Sequence, residues 1–372
     1  MVDGIRDRRI ALLLAISLVG LALRLWRLTD APGGFNQDEA VAVYDAFSVL
    51  RTGRDHHGAL LPLNFRAFDD WIPPVHQYLL IPFVAILGPT VLAGRLLSAI
   101  LGTSIIITTY VIFGHMCSVR VGFLASLFVA FSSWGINFSR VGLSVIILVA
   151  TSTAGMMCFI MAYRKSNMKR EIRLVCNVFS GGLLGLGLAS YPVGKVSVSL
   201  LLIIILYLES RNYRNNSLES PISIVFGFTI TSGPFLLAQI LDWKTVNARF
   251  VEISALTEPR DFSRILYNYL SHFDPRLLFW SGYRDGIITS SAGFRQASIC
   301  LAPFFYIGII NISRNIRRVN SQMLIGWLLI FPVASSLTQP EVPHEIRAGV
   351  GHPIVEIFSA VGFIFLLRGL FL

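Results

Sequence analysis

The sequence predicts an all-α polytopic membrane protein, and three observations carry that reading. Mean hydropathy is +0.66. Of 372 residues, 54% are hydrophobic and only 14% charged, more apolar sequence than a water-soluble core needs. The apolar residues fall in long runs separated by short basic gaps. Crossing a ~30 Å hydrocarbon core takes roughly 20 helical residues. Runs of about that size lie at 10–28, 91–113, 119–137, 142–163, 174–190, 193–208, 221–241, 297–312, 321–338 and 353–371. About ten transmembrane helices are therefore expected.

The N-terminal stretch MVDGIRDRRIALLLAISLVGLALRLWRL has a basic start and an apolar run, the outline of a signal peptide. The run continues through Trp26 without a clear small-residue cleavage site, so it reads as a retained first span. Residues 29–90 form a large first loop. Within it, Val75 to Gly88 is apolar but lies between Pro73-Pro74 and Pro89. Fourteen residues of helix rise only about 21 Å, so this segment reads as interfacial or re-entrant rather than spanning. Residues 174–208 are split by Tyr191-Pro192-Val193-Gly194-Lys195. Both flanks are basic, so two helices joined by a tight turn are expected, with the turn against protein or water. A second large loop covers 242–296. The small residues Gly181, Gly185 and Ala189 recur four apart, which suits close helix packing in lipid. No long repeat is evident, so the chain reads as one transmembrane domain, 1–372. It stops in an apolar segment, and no soluble C-terminal domain is expected to follow.

The charge pattern orients the chain. Segments 1–9, 114–118, 164–173, 209–220 and 313–320 hold most of the clustered Lys and Arg, including Arg8, Arg9, Arg164, Arg170, Arg211, Arg314 and Arg317. These are the expected cytoplasmic segments. The net charge of +10 follows from topology, and no nucleic-acid partner is implied. Five polar pieces are then left to the outer face. They are loop 29–90, the turn at Ser139-Arg140, the turn at Tyr191–Lys195, loop 242–296 and loop 339–352. The four cysteines, Cys117, Cys158, Cys176 and Cys300, are scattered and indicate neither a disulfide framework nor a zinc site.

Asp38-Glu39 opens an amphipathic helix, with Ala40, Val43, Ala46, Phe47 and Leu50 at helical spacing. Two readings stand. Acids in a first helical turn favour the macrodipole, and Asn36 or Asp38 can cap it. A carboxylate at the membrane surface can also take a proton from a hydroxyl. The same loop holds Arg51, Arg54, Asp55, His56, His57, Arg66, Asp69, Asp70 and His76. Adjacent His56-His57 is not a chelating spacing on one helix face, and a solvated surface is the plainer reading. Arg140 and Lys195 each read as a snorkelling cation or as a phosphate contact. Loop 242–296 mixes aromatics with His272, Asp274, Arg276, Arg284 and Asp285. Loop 339–352 carries Glu341, His344, Glu345, Arg347 and His352.

Four stretches in order resemble one family. They are the DEA…TG.D..G..LPL…D..PP…YLL segment with the A.RL.SA..G that follows, SSWGINFSRVGLS, NYLSHFDPRLLFWSG and LTQPEVPHEIRAGVGHP. Together they are similar to the GT-C glycosyltransferases, in particular the bacterial protein O-mannosyltransferase and aminoarabinose-lipid A transferase family of dolichyl-phosphate-mannose type. The resemblance runs from about residue 20 to residue 360. It implies a GT-C fold in the cytoplasmic (inner) membrane with its active face outside the cytoplasm. It implies an enzyme that moves a sugar from a polyprenyl-phosphate donor to a lipid, glycan or protein hydroxyl. Asp38 would be the base with Glu39 beside it. Arg140, Lys195 and Arg347 would contact the donor phosphate, and Asp70, Tyr191 and His344 would contact acceptor or sugar. The partners implied are membrane lipids, the polyprenyl-phosphate sugar and the acceptor.

The departures are specific. Relatives often carry an acid four residues after the Ser-Arg arginine, where this chain has Ser144; that acid can help bind a divalent cation or the acceptor, so the metal is left open. Ser133 stands where relatives have Pro, and Lys195 where Arg is common, which keeps the charge but loses the planar fork. The alternatives are a transporter or flippase, or a non-catalytic truncated member. Transporters place charges near the midplane and show repeated halves, whereas here the charges sit at helix ends. Convergence of Asp38, Arg140, Lys195 and Arg347 on one outer site is the geometric requirement of the enzyme reading.

Overall fold

The computed structural model describes residues 2–68, 70–164, 168–211, 218–255, 261–280, 296–339 and 342–370. Helix α1 (Val2–Leu25) opens the chain. The first outer loop contains α2 (Gln37–Thr52), a hairpin of β1 (Phe65–Ala67) and β2 (Asp70–Ile72), and α3 (Val75–Leu87). The hairpin is antiparallel, with Phe65 opposite Ile72, Arg66 opposite Trp71 and Ala67 opposite Asp70. Then follow α4 (Val91–Met116), α5 (Val119–Ala130), α6 (Ser133–Arg140), α7 (Val145–Arg164), α8 (Arg170–Leu188), α9 (Gly194–Ser210) and α10 (Glu219–Leu241). The second loop contains the short α11 (Trp243–Val246) and α12 (Ala248–Ile253) and the longer α13 (Asp261–Ser271). The last elements are α14 (Ala302–Arg314), α15 (Val319–Ile330), α16 (Val333–Ser336) and α17 (Ile354–Leu370).

All ten apolar segments are helical, but length and hydropathy return fewer crossings than ten. Among the described residues six helical segments meet both criteria: Val91–Met116, Val145–Arg164, Arg170–Leu188, Glu219–Leu241, Val319–Ser336 and Gly349–Gly369. The pair α5–α6 makes a seventh if it counts as one span. Helix α1, of 24 residues, is long enough but carries Arg8, Arg9 and Arg24. Helix α9, of 17 residues, and the helix Ile299–Arg314 are at the short end of what spans ~30 Å. Helix α3 has 13 residues, about 20 Å, so it is too short to cross, as its flanking prolines imply.

The expected straight third span is broken. Ser132 ends the run by turning its hydroxyl to Gly135 N, 3.2 Å, as the cap of a new helix. α6 therefore leaves α5 at 55°, and Ser139-Arg140 lies in its last turn rather than in an open turn. The small-residue stripe of α8 packs against α10: a Cβ on Gly181 would run into the carbonyl of Ile224, and one on Gly227 into the carbonyl of Val178. The backbones touch directly, so any larger side chain would push the helices apart.

Two apolar clusters form the core. One joins α4, α7, α8, α9, α14, α15 and α17 through residues such as Phe159, Leu188, Phe305, Trp327 and Phe358. The other joins α2, α3, α4 and α7 through Ala46, Leu80, Ala93, Val145 and Ile146. Val75 and Tyr191 pack against both. The functional candidates gather above that seam.

Candidate functional site

The site starts from the cap of α2. The Asn36 side chain accepts from Asp38 N at 2.8 Å, and the Glu39 carboxylate accepts from Asn36 N at 3.0 Å. This reciprocal box fixes the first turn. Glu39 does more. It is 1% exposed and accepts from Arg95 Nε at 2.9 Å, from Arg95 Nη2 at 3.1 Å and from Gly142 N at 2.7 Å. Arg95 in turn gives its other donors to the carbonyls of Leu28, Pro32 and Gly34. Every N–H of the guanidinium is used. Glu39 was expected beside the base as part of the chemistry; it is a buried anchor that joins α2, α4 and the link between α6 and α7. Its oxygens face inward because a one-residue step on a helix turns a side chain by about 100°.

Asp38 takes the other direction. It is half-buried, and among the described residues its carboxylate has no hydrogen-bond or ion-pair partner. Burial raises its pKa above the ordinary carboxylate value; Asp70 and Glu39 add to the rise and Arg249 opposes it. A raised carboxylate pKa makes the anion a stronger proton acceptor.

Asp70 comes from the first position of β2, where the hairpin turns it toward the second outer loop. It accepts from Trp71 N at 2.8 Å and pairs with Arg249 Nε at 3.3 Å. Burial is the largest influence on it and raises its pKa, with Arg249 and Lys195 opposing. Its neighbour Asp69 lies outside the described residues. Lys195, in the first turn of α9, donates to Gln239 Oε1 and, at 3.0 Å, to Asn247 Oδ1. Gln239 Nε2 donates to Asn64 Oδ1 at 2.6 Å, so α9, α10, the hairpin loop and the second outer loop meet around this ammonium. It also lies over the Phe235 ring, 5.7 Å from the centroid.

Tyr191, in the turn between α8 and α9, links the two halves. Burial pushes its phenol up to about 12; Arg347 opposes, and Asp38 and Asp70 push the same way as burial. All three charges thus act electrostatically on one phenol. Arg347 itself donates from Nη1 to Thr338 Oγ1 at 3.0 Å. Its amide approaches His344 Nδ1 at 3.4 Å. Burial is the main reason the His344 imidazole falls to about 3, with Arg347 and His272 adding to it; at neutral pH His344 is an uncharged ring.

Arg140 spends its donors on backbone, and Arg95 acts on it electrostatically. Its guanidinium donates to the carbonyls of Leu23, Arg24, Arg27 and Ala31 at 2.7–3.3 Å. It closes the C-terminal end of α1, whose last carbonyls lack helical partners. Of the four residues whose convergence was expected from sequence, Asp38 and Arg347 both act electrostatically on Tyr191 and Lys195 acts on Asp70, while Arg140 is bound to the carbonyls at and after the end of α1. Ser144 lies at the start of α7, where its carbonyl accepts from Ile147 N and Leu148 N. Among the described residues no three His, Cys, Asp or Glu side chains are grouped to hold a metal ion. His56 is not a free surface ring either: its Nδ1 meets Asp45 Oδ1 at 2.6 Å and its amide donates to the same oxygen at 3.1 Å, which clasps the loop to α2. Glu341, Arg284 and Asp285 lie outside the described residues.

Sequence reasoning passed over Arg95, Arg249, Asn64 and Gln239. Arg95 carried a signal, a charge inside an apolar run, where an unpaired cation would be expensive. The other three are ordinary polar residues with no local signature.

Residues 72–236 match the family model described as dolichyl-phosphate-mannose-protein mannosyltransferase. No curated protein matches by sequence. Among solved structures, ArnT from Cupriavidus metallidurans in the apo state superposes with a TM-score of 0.62 at 14% identity, over 95% of this chain and 59% of that one. The same enzyme bound to undecaprenyl phosphate also gives 0.62 at 14% identity, over 100% of this chain and 63% of that one. The fold is that of the GT-C glycosyltransferases. The archaeal oligosaccharyltransferase AglB from Archaeoglobus fulgidus, in complex with an inhibitory peptide and a dolichol-phosphate, gives a TM-score of 0.60 at 14% identity over 98% of this chain and 51% of that one. The chain spans less than two thirds of the length of each of these structures. The family match covers Arg95, Arg140, Tyr191 and Lys195; Asp38 and Arg347 lie outside it.

Proposed function

We propose that this chain is a membrane glycosyltransferase that moves a sugar from a polyprenyl-phosphate donor to a hydroxyl of a lipid, glycan or protein. One observation carries the reading: Asp38 is half-buried and unpartnered among the described residues, in a group whose cations are Lys195, Arg249 and Arg347. The solved structures with undecaprenyl phosphate and dolichol-phosphate support the choice of donor.

The chemistry follows from the charges. Asp38 accepts the proton of the acceptor hydroxyl as its oxygen attacks the anomeric carbon. The bond from that carbon to the phosphate oxygen breaks, and the electron pair leaves with the polyprenyl phosphate. The phosphate gains negative charge in this step, and Lys195, Arg249 and Arg347 offset it where it develops. Phosphate is a good leaving group, so a base is needed more than an acid. Attack opposite the leaving group inverts the anomeric carbon. Asp70, held by Arg249, and the neutral His344 and Tyr191 bind acceptor or sugar hydroxyls.

The basic segments face the cytoplasm by the positive-inside pattern. This supports a reading in which the protein sits in the cytoplasmic membrane with loops 29–90 and 242–296, and the site, on the extracytoplasmic side. The test is transfer from an undecaprenyl-phosphate sugar in reconstituted vesicles. D38N is expected to abolish transfer while the protein stays inserted; wild-type transfer by D38N would overturn the base assignment.

A further inference from the structure

The second outer loop holds a histidine that the proposed chemistry does not use. His272 follows α13 directly and is fully buried. Its Nδ1 meets Asn268 O at 2.8 Å and its Nε2 meets Ser335 Oγ at 2.9 Å. A carbonyl can only accept, so Nδ1 carries the proton. Nε2 is then the acceptor, and the Ser335 hydroxyl donates to it. Burial lowers the ring's pKa to about 4, which keeps this neutral tautomer at physiological pH.

Ser335 belongs to α16, and its carbonyl accepts from Thr338 Oγ1 at 2.8 Å. The Thr338 hydroxyl is then oriented to accept from Arg347 Nη1 at 3.0 Å. The donors and acceptors thus run in one consistent sense on either side of Ser335. The second loop also grips the strand that follows α16: Ala255 N donates to Leu337 O at 2.9 Å, and Gln339 N to Ile253 O at 2.7 Å. Asn268 Nδ2 adds a long contact to Ser336 O at 3.4 Å.

We propose that His272 is a positioning residue for Arg347, acting through Ser335 and Thr338 to hold the guanidinium where it meets the donor phosphate. This rests on the phosphate role given to Arg347 above. A rigid mount matters because a guanidinium left to sample other rotamers loses part of its binding energy in ordering. The sequence hid the role: His272 lies 63 residues from Ser335, and no local pattern links the two.

The test is equilibrium binding of undecaprenyl phosphate, with undecaprenol as the uncharged control, to the purified full chain in detergent. R347A is the reference for loss of the phosphate contact. H272N keeps the Nδ1-like donor but cannot reach Ser335, and S335A cuts the same link from the other side. Each is expected to weaken undecaprenyl phosphate binding about three- to ten-fold and to leave undecaprenol binding unchanged. The double variant is expected to be no weaker than either single, because both remove one link. H272Q, whose Oε1 can accept from Ser335, is expected to restore binding. If R347A is weakened but H272N and S335A bind like wild type, or lose both ligands equally, the positioning role is overturned. If R347A itself binds undecaprenyl phosphate like wild type, the phosphate reading falls, and the positioning role with it.

Discussion

Glu39 and Arg95 meet at two points, 2.9 and 3.1 Å, with both side chains 1% exposed. The pair ties the helix that carries Asp38 to α4 and, through Gly142, to the link between α6 and α7. A buried ion pair is a weak argument for net stability, but removing one partner strands a charge and costs about 3–5 kcal/mol.

R95L is therefore expected to lower stability by about that amount, read as a lower melting temperature in detergent. E39Q keeps the volume, but it strands the Arg95 charge and turns one accepting oxygen into an NH2 that faces donors, so its cost should be comparable. R95K keeps the charge but loses the fork that reaches Leu28, Pro32 and Gly34, and should fall between these variants and wild type. Equal melting temperatures for R95L and wild type would show that the pair does not hold α2.

The acid limb of the pH–rate profile reports Asp38. Its pKa is raised, first by burial and then by Asp70, while Arg249 pulls it down. Activity should fall as pH drops through this raised value, because protonated Asp38 cannot accept the acceptor's proton. D70N removes a raising charge, so the limb should move to lower pH. R249Q removes a lowering charge, so the limb should move to higher pH. Shifts in the opposite senses would place the titrating base elsewhere.

Arg140 should behave as a helix end, not as a substrate contact. R140A frees the carbonyls of Leu23, Arg24 and Ala31, while Arg27 O keeps the amides of Asp30 and Ala31. The expected cost is about 1–3 kcal/mol of stability, with undecaprenyl phosphate affinity unchanged. A loss of affinity without a loss of stability would return Arg140 to the phosphate site.

His272 and His344 make stability depend on pH. Their folded values, about 4 and about 3, lie below the ordinary 6.5. Above pH 6.5 both states are neutral at these rings and the full stability is present. As pH falls from there the unfolded chain binds protons that the folded chain refuses, so stability declines with up to two protons per molecule. The decline ends once pH is below both folded values. Melting temperature should drop between pH 6.5 and 4 in the wild type, and less steeply in H272Q. An identical slope in H272Q would mean that His272 titrates normally when folded.

Much of this was legible in the chain, and the reasons are local. The cap on α2 could be read because Asn36, Asp38 and Glu39 are consecutive or nearly so, and a helix start uses only neighbours. Gly181 and Gly185 announced a close crossing through their spacing of four. The prolines around Val75–Leu87 told that this helix stops short of a span. Partner choice was not legible. Asp38 and Glu39 look alike in sequence, yet Glu39 is spent on Arg95 and Asp38 has no such partner among the described residues. Arg140 sits in a motif that resembles a phosphate contact, yet the 55° bend at Ser132 swings it onto the end of α1.

The sequence by itself determined that the chain is a helical polytopic membrane protein and that the first loop carries an amphipathic helix. Those follow from hydropathy, helix length and the placement of Lys and Arg, which act over tens of residues along the chain. The tertiary structure alone decided which polar residues meet. Arg249 reaches Asp70, Lys195 reaches Gln239 and Asn247, and His272 reaches Ser335. Hydrogen bonds and ion pairs act over about 3 Å, a distance that only packing of distant segments can set.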